Sequence, residues 1–328
     1  MLCPFHLGEA EFEIKKLPDR PVPVYRCPDS QCGEEIPSLY VRDYAIYPPV
    51  VLSAIGFRGH GKTVYFSSLF RLIRGQALAG VWPGFHTQCM SERDLDTVLK
   101  NVQMLNEGKL PGATPKNFPR PTMVRVSGVP MLRDCTLLCY DTGGECFEKA
   151  TQLVQYASFV RQARTAVFLV SIKSLRDPAA EMHNLLDSYI GGIGDLGGRV
   201  EDQHLVVTYS QADELGERLR AWGGLHEYLR QGGIDGLTDP QHYLGRLRQV
   251  SAELHAFTSR ELGAFQFLNS AQSQFKSVSF AILSALGARP AGDRLTAQVT
   301  PRRVLDPMLW VQYKSLPPLK RWIKGLLG

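Results

Sequence analysis

The chain contains no run of about 18 apolar residues, so no segment reads as a membrane-crossing helix. It has no internal repeat and no low-complexity tract, which excludes repeat architectures and compositional linkers. Its first residues, Met1-Leu2-Cys3-Pro4-Phe5-His6, lack the basic stretch and apolar core of a secretory leader. Cysteine is sparse: seven in 328 residues, an odd number, which argues against a disulfide scaffold. That usage fits a reducing compartment and metal binding, so the expected location is cytoplasmic. Charge of one sign is also limited. The formal net charge is +5, spread over many segments, and gives no nucleic-acid signal.

What is present is ordinary for a globular protein: 44% hydrophobic and 21% charged residues. Residues 1–45 hold three of the cysteines, several prolines and few large aliphatic residues, and read as a small separate module. Residues 46–290 read as the main domain with helical insertions, and 291–328 as a C-terminal tail. Apolar runs predict strands over 50–55, 122–126, 135–140, 165–170, 205–208 and 280–283. The second and third of these are expected to pair across their intervening turn. Helical spacing predicts helices over 63–74, 148–163, 178–189 and most of 215–260, and one opened by Ser91, with Asp94 returning the cap bond. Residues 75–121 otherwise read as a long connector and 191–198 as a glycine-rich loop. Strands alternating with helices imply an α/β fold of the P-loop NTPase kind, a mostly parallel sheet with helices on both faces.

Gly56-Phe57-Arg58-Gly59-His60-Gly61-Lys62-Thr63 matches the pattern G-x-x-x-x-G-K-S/T, between an apolar strand and a helix. Glycines let backbone N–H groups crowd around phosphate, and the helix N-terminus favours the anion. Lys62 supplies a charge for the β- and γ-phosphates, and the Thr63 hydroxyl can ligate Mg²⁺. Asp141-Thr142-Gly143-Gly144 follows a strand, so Asp141 can hold Mg²⁺ and the Gly144 N–H can meet a γ-phosphate. This D-x-x-G resembles the switch II motif of translation-factor-like and Ras-like GTPases. Glu145 stands where those proteins often have a glutamine that positions the attacking water. A carboxylate there can orient water but adds negative charge, so hydrolysis is expected to be slow or partner-activated.

Ser210-Gln211-Ala212-Asp213, after the 205–208 strand, resembles the guanine-specificity motif N-K-x-D. Asp213 would accept from guanine N1 and N2, while Ser210 and Gln211 depart from the motif. Ser284 and Ala285 resemble the weaker S-A-x base contact. A switch I threonine is needed for Mg²⁺; of Thr114 and Thr122, Thr114 is preferred because its loop contains glycine and proline. Arg58, inside the phosphate loop, reads either as solvent-facing or as a neutraliser of transition-state charge.

Cys3-x-x-His6 and Cys27-x-x-x-x-Cys32 offer four soft ligands in two close pairs, the set that tetrahedral Zn²⁺ takes. The module resembles a zinc ribbon with one ligand changed to His, and Zn²⁺ would stabilise a segment with little core. Cys89, Cys135, Cys139 and Cys146 read as core or near-core residues. Near the C-terminus, residues 316–327 are basic and amphipathic. They fit a helix packing on this chain or a partner better than a membrane-surface helix.

Together with the Asp306-Pro307-Met308-Leu309-Trp310 tail, these motifs resemble the double-GTPase families of bacterial conflict systems, over most of the chain. The resemblance implies a GTP/GDP switch working beside a protein partner, a second GTPase or an effector, in prokaryotic antiviral defence or signalling. Two alternatives stay open: a GTP-dependent scaffold with little hydrolysis, and a P-loop ATPase.

Overall fold

The computed structural model describes residues 1–15, 24–30, 32–112, 114, 119–231 and 237–317. The basic amphipathic stretch expected at 316–327 lies outside the described residues beyond Pro317.

The first 45 residues hold a three-stranded antiparallel sheet, β1 (Glu13–Lys15), β2 (Val24–Arg26) and β3 (Glu35–Ile36), followed by the one-turn helix α1 (Ser38–Arg42). Seven further strands form the main sheet: β4 (Pro49–Ile55), β5 (His86–Cys89), β6 (Thr122–Ser127), β7 (Cys135–Tyr140), β8 (Thr165–Val170), β9 (His204–Tyr209) and β10 (Ser277–Ile282). Their order is β10-β9-β8-β4-β7-β6-β5. The neighbours from β10 to β7 are parallel, while β6 runs antiparallel to both β7 and β5. The expected pairing of 122–126 with 135–140 is the β6–β7 ladder.

Each central strand is buried on both faces, and its alternate side chains enter two different cores. On β8, Ala166, Phe168 and Val170 join one core, and Val167 and Leu169 the other. Helices α2 (Lys62–Arg74) and α11 (Asp306–Ser315) cover the second face through residues such as Phe66, Leu69, Met308 and Trp310. Helices α5 (Ala150–Tyr156), α6 (Pro178–Asp195) and α10 (Phe265–Gln274) cover the first. The remaining helices are α3 (Gln76–Val81), α4 (Glu92–Asn106), α7 (Gly216–Arg220), α8 (Gly223–Arg230) and α9 (Pro240–Arg260).

Several elements depart from expectation. The connector 75–121 contains α3 and the edge strand β5, whose His86-Thr87-Gln88-Cys89 has no apolar run to announce it. The glycine-rich 191–198 segment is mostly helix: α6 runs on to Asp195. The physical reason is contact, because a Cβ on Gly192 would lie 2.8 Å from Leu153 Cδ2 of α5, so glycine lets the two helices approach. The helix expected over 148–163 breaks at Ala157 into α5 and a 3₁₀ stretch at Ser158–Gln162. At α4, Ser91 caps as expected, its Oγ accepting from the Asp94 N–H at 3.1 Å. Asp94 does not return that bond to the Ser91 backbone. Its carboxylate accepts from the Ser91 hydroxyl and, at 3.0 Å, from the Met123 N–H, tying α4 to β6.

A candidate nucleotide site and a candidate metal knot

The loop 56–63 joins β4 to α2 with Gly59 and Gly61 at φ of 85° and 79°, backbone that favours glycine. A Cβ on Gly56 would lie 2.3 Å from the Leu169 carbonyl oxygen, so the loop is pressed directly onto β8. His60 reinforces that contact. Its imidazole is buried, and Nδ1–H donates to the same Leu169 oxygen at 2.9 Å. A carbonyl can only accept, which fixes this tautomer. Burial pushes the His60 pKa down to about 4, so the ring is neutral near pH 7. The His60 side chain is therefore engaged with β8. The Lys62 ammonium lies against the Gly56 and Phe57 carbonyls at 2.8 and 3.0 Å. Burial lowers its pKa to about 8, opposed by the charges of Asp141 and Glu145.

Three oxygens far apart in sequence meet beside this loop. The Thr63 hydroxyl contacts the Thr114 hydroxyl at 2.7 Å, and Thr114 donates to Asp141 Oδ2 at 2.9 Å. Asp141 Oδ1 is buried without a hydrogen-bond partner among the described residues. Burial raises the Asp141 pKa, although both threonines and Lys62 pull it down. The set fits Mg²⁺: hard oxygen ligands on 2.0–2.1 Å arms have octahedral edges of about 2.9 Å. Thr63, Thr114 and Asp141 could hold the ion, which would also meet the unpartnered oxygen. Thr122, the other switch I candidate, instead opens β6 opposite Cys139.

Gly144 is held tightly against the loop, since a Cβ there would lie 2.2 Å from the Arg58 backbone nitrogen. The next residue, Glu145, faces Arg58 across 3.8 Å. Arg58 is 78% exposed, so the pair is solvated and worth little as a stabiliser.

The loops after β8, β9 and β10 complete the cleft. Ser210 donates to the His60 carbonyl at 2.9 Å, and Gln211 Nε2 donates to the Gly59 carbonyl at 3.1 Å. Thus Ser210 and Gln211 both anchor loop 56–63. Ser284 donates to Asp213, and the Gly287 N–H donates to Ser284 at 2.9 Å. Asp213 and Ala285 line a cleft with Gly61, Val64, Gln211, Leu283 and Leu286. The structure adds Leu110 to this lining, and Ser171, which donates to Gln211 Oε1. Neither belongs to a motif; only their placement beside motif residues reveals them.

At the other end of the chain, the Cys3, His6, Cys27 and Cys32 ligand atoms all lie within 4.8 Å of one another. Cys3 Sγ and Cys32 Sγ are 3.9 Å apart, and His6 Nε2 and Cys27 Sγ 3.1 Å. A tetrahedron with 2.3 Å Zn–S arms has S–S edges of roughly 3.8 Å. Each pair sits on a tight turn: Leu7 N–H donates to Cys3 O, and the Cys32 and Gly33 N–H groups donate to Asp29 O. Burial raises the Cys3 and Cys32 thiol pKa values, a cost that a bound cation would offset. These four residues could hold Zn²⁺.

No protein-family model and no curated protein matches the chain. Among solved structures, the GTP-bound GTPase-like domain of Saccharomyces cerevisiae Ski7 is similar over 84% of this chain and 52% of that one, at 13% identity and a TM-score of 0.34. The same domain with GDP and inorganic phosphate aligns over 75% and 45%, at 14% identity and a TM-score of 0.29. Sup35 complexed with GDP aligns over 77% and 41%, at 14% identity and a TM-score of 0.27. The chain spans about half the length of these structures or less. Likeness this distant adds nothing about the site. The fold stands on its own strand order and on the strand–loop–helix at 49–74.

Proposed function

We propose that this protein binds GTP with Mg²⁺ and works as a nucleotide-dependent switch that hydrolyses GTP slowly or with a partner's help. The observation that carries this reading is the meeting of Thr63, Thr114 and Asp141, residues 51 and 27 positions apart, within 2.9 Å contacts. Phosphate would be held by Lys62 and by the backbone of Gly56, Arg58, Gly59, His60, Gly61 and Thr63, with the Gly144 N–H facing the γ-phosphate. Asp213 would accept from guanine, with Ser284, Ala285 and Gln211 around the base.

The base reading has a direct test. Asp213→Asn removes the acceptor for guanine N1–H and N2, and should weaken GTP binding roughly a hundredfold. It should also admit xanthosine triphosphate, whose C2 oxygen accepts from an amide. Unchanged GTP affinity in this variant would defeat the guanine assignment.

A second reading, a GTP-bound scaffold with almost no hydrolysis, is favoured by Glu145 and its ion pair with Arg58. Single-turnover hydrolysis separates the two. A rate of at least about 10⁻⁴ per second, the scale of an unassisted GTPase, supports the switch. A lower rate that no candidate partner raises supports the scaffold. The resemblance to double-GTPase families adds a protein partner and a role in prokaryotic defence to this proposal. The Cys3–His6–Cys27–Cys32 knot adds one structural Zn²⁺.

A further inference from the structure

Gln211 stands where the resembling motif has lysine, and its surroundings show what the exchange requires. Lysine offers only donors, whereas an amide has a donor end and an acceptor end. The donor end, Nε2, bonds the Gly59 carbonyl in the phosphate loop at 3.1 Å. The acceptor end, Oε1, takes the Ser171 hydroxyl proton at 2.5 Å. Ser171 is fully buried at the end of β8 and in turn accepts from the Ser174 hydroxyl at 3.0 Å. The proton order is thus directed: Ser174 to Ser171, Ser171 to Gln211, Gln211 to Gly59. A flipped amide would set its oxygen against the Gly59 carbonyl oxygen, and the Ser171 hydroxyl would have to turn and accept from the NH₂ instead of donating. Gln211 also lines the base cleft, on backbone held at φ of 54°.

We propose that Ser171 is a positioning residue for guanine-nucleotide binding, whose hydroxyl locks the Gln211 amide as a crossbar between the phosphate loop and the base cleft. This rests on the guanine-nucleotide reading above. The chemistry is a substitution of means: an oriented neutral amide, held by a buried hydroxyl, does what a charged side chain would do without such help.

The test is a double-mutant cycle read as the dissociation constant for GDP, with a thermal melt of each variant as a folding check. Ser171→Ala releases the amide and should raise the dissociation constant about tenfold, the scale of one hydrogen bond to an oriented group. In a Gln211→Lys background the hydroxyl has no acceptor to orient, so adding Ser171→Ala should change binding by less than about twofold. Should Ser171→Ala not fold, Ser171→Cys takes its place: it replaces the hydroxyl with a weak donor, and should weaken GDP binding in the wild-type background but not beside Gln211→Lys. The proposal is overturned if Ser171→Ala (or, in its place, Ser171→Cys) leaves GDP affinity intact, or weakens binding equally in both backgrounds. Wild-type protein that binds no guanine nucleotide would instead overturn the reading beneath it.

Discussion

Lys62 and Asp141 bring opposite charges into one junction, and the Lys62 charge beside the buried His60 adds to the burial that keeps that ring neutral. Because burial holds the His60 pKa near 4 instead of 6.5, folding favours the uncharged ring. The folded pKa is depressed, so this contribution is present above pH 6.5 and is lost as pH falls through about 4. Wild type should lose about 3 kcal/mol more than His60→Gln between pH 7 and 4, read from denaturant midpoints. Equal pH dependence would contradict the buried, neutral assignment. Gly144 gives a second residue-scale prediction. Gly144→Ala places a methyl 2.2 Å from the Arg58 nitrogen, so loop 56–63 or the Asp141 turn must shift. GTP affinity should fall by about tenfold or more while the main sheet survives, checked by binding and circular dichroism. That Thr63, Thr114 and Asp141 come together was legible from sequence, because the motifs that suggested them put particular residues at fixed positions after a strand or in a loop. The His60 and Ser171 contacts were not, since their partners, Leu169 and Gln211, are 109 and 40 residues away.

Among the elements, α11 shows how a polar group can fasten a helix into a core. Tyr228 of α8 and Tyr243 of α9 both donate to the buried Asp306 carboxylate. Arg303 lies 3.8 Å over the Tyr228 ring and donates to the Tyr228 and Gln231 carbonyls. Burial pushes the Asp306 pKa up to about 6, against the pull of Arg303 and the two phenols. Asp306→Ala strands both hydroxyls and should cost about 3 kcal/mol or more, read as a lowered denaturation midpoint. A neutral result would mean that α11 is held by its apolar face alone. The elements that apolar patterning revealed are the continuous apolar runs buried on both faces, such as β8 and β9, and the helical stripe of α2. It missed β5, a polar edge strand defined only by pairing with β6, and it ended α6 too early. Glycine at 191, 192 and 194 signals a loop locally, yet Gly192 serves close packing on Leu153.

For the whole molecule, the Cys3–His6–Cys27–Cys32 cluster and the candidate nucleotide site are physically joined. Tyr140, which precedes Asp141, donates to the Pro4 carbonyl between Cys3 and His6. Arg120, beyond Thr114, sits 4.5 Å over the Phe5 ring and pairs with Glu34. Cys3, Phe5, Leu7, Cys27 and Tyr40 share one core with Met123, Leu138 and Tyr140. Metal analysis should therefore find about one Zn per chain, and chelation should both lower the melting temperature and weaken GTP binding. Metal-free protein with an unchanged melt would refute the knot as a Zn²⁺ site.

The most direct test of the proposed Mg²⁺-dependent GTP binding is competition for the purified protein. GTP and ATP would each displace a fluorescent GDP analogue, with Mg²⁺ present and again in EDTA. The expected result is displacement by GTP at concentrations roughly a hundredfold below those of ATP, weakened when Mg²⁺ is removed. ATP displacing as well as GTP, or GTP binding indifferent to Mg²⁺, would contradict it.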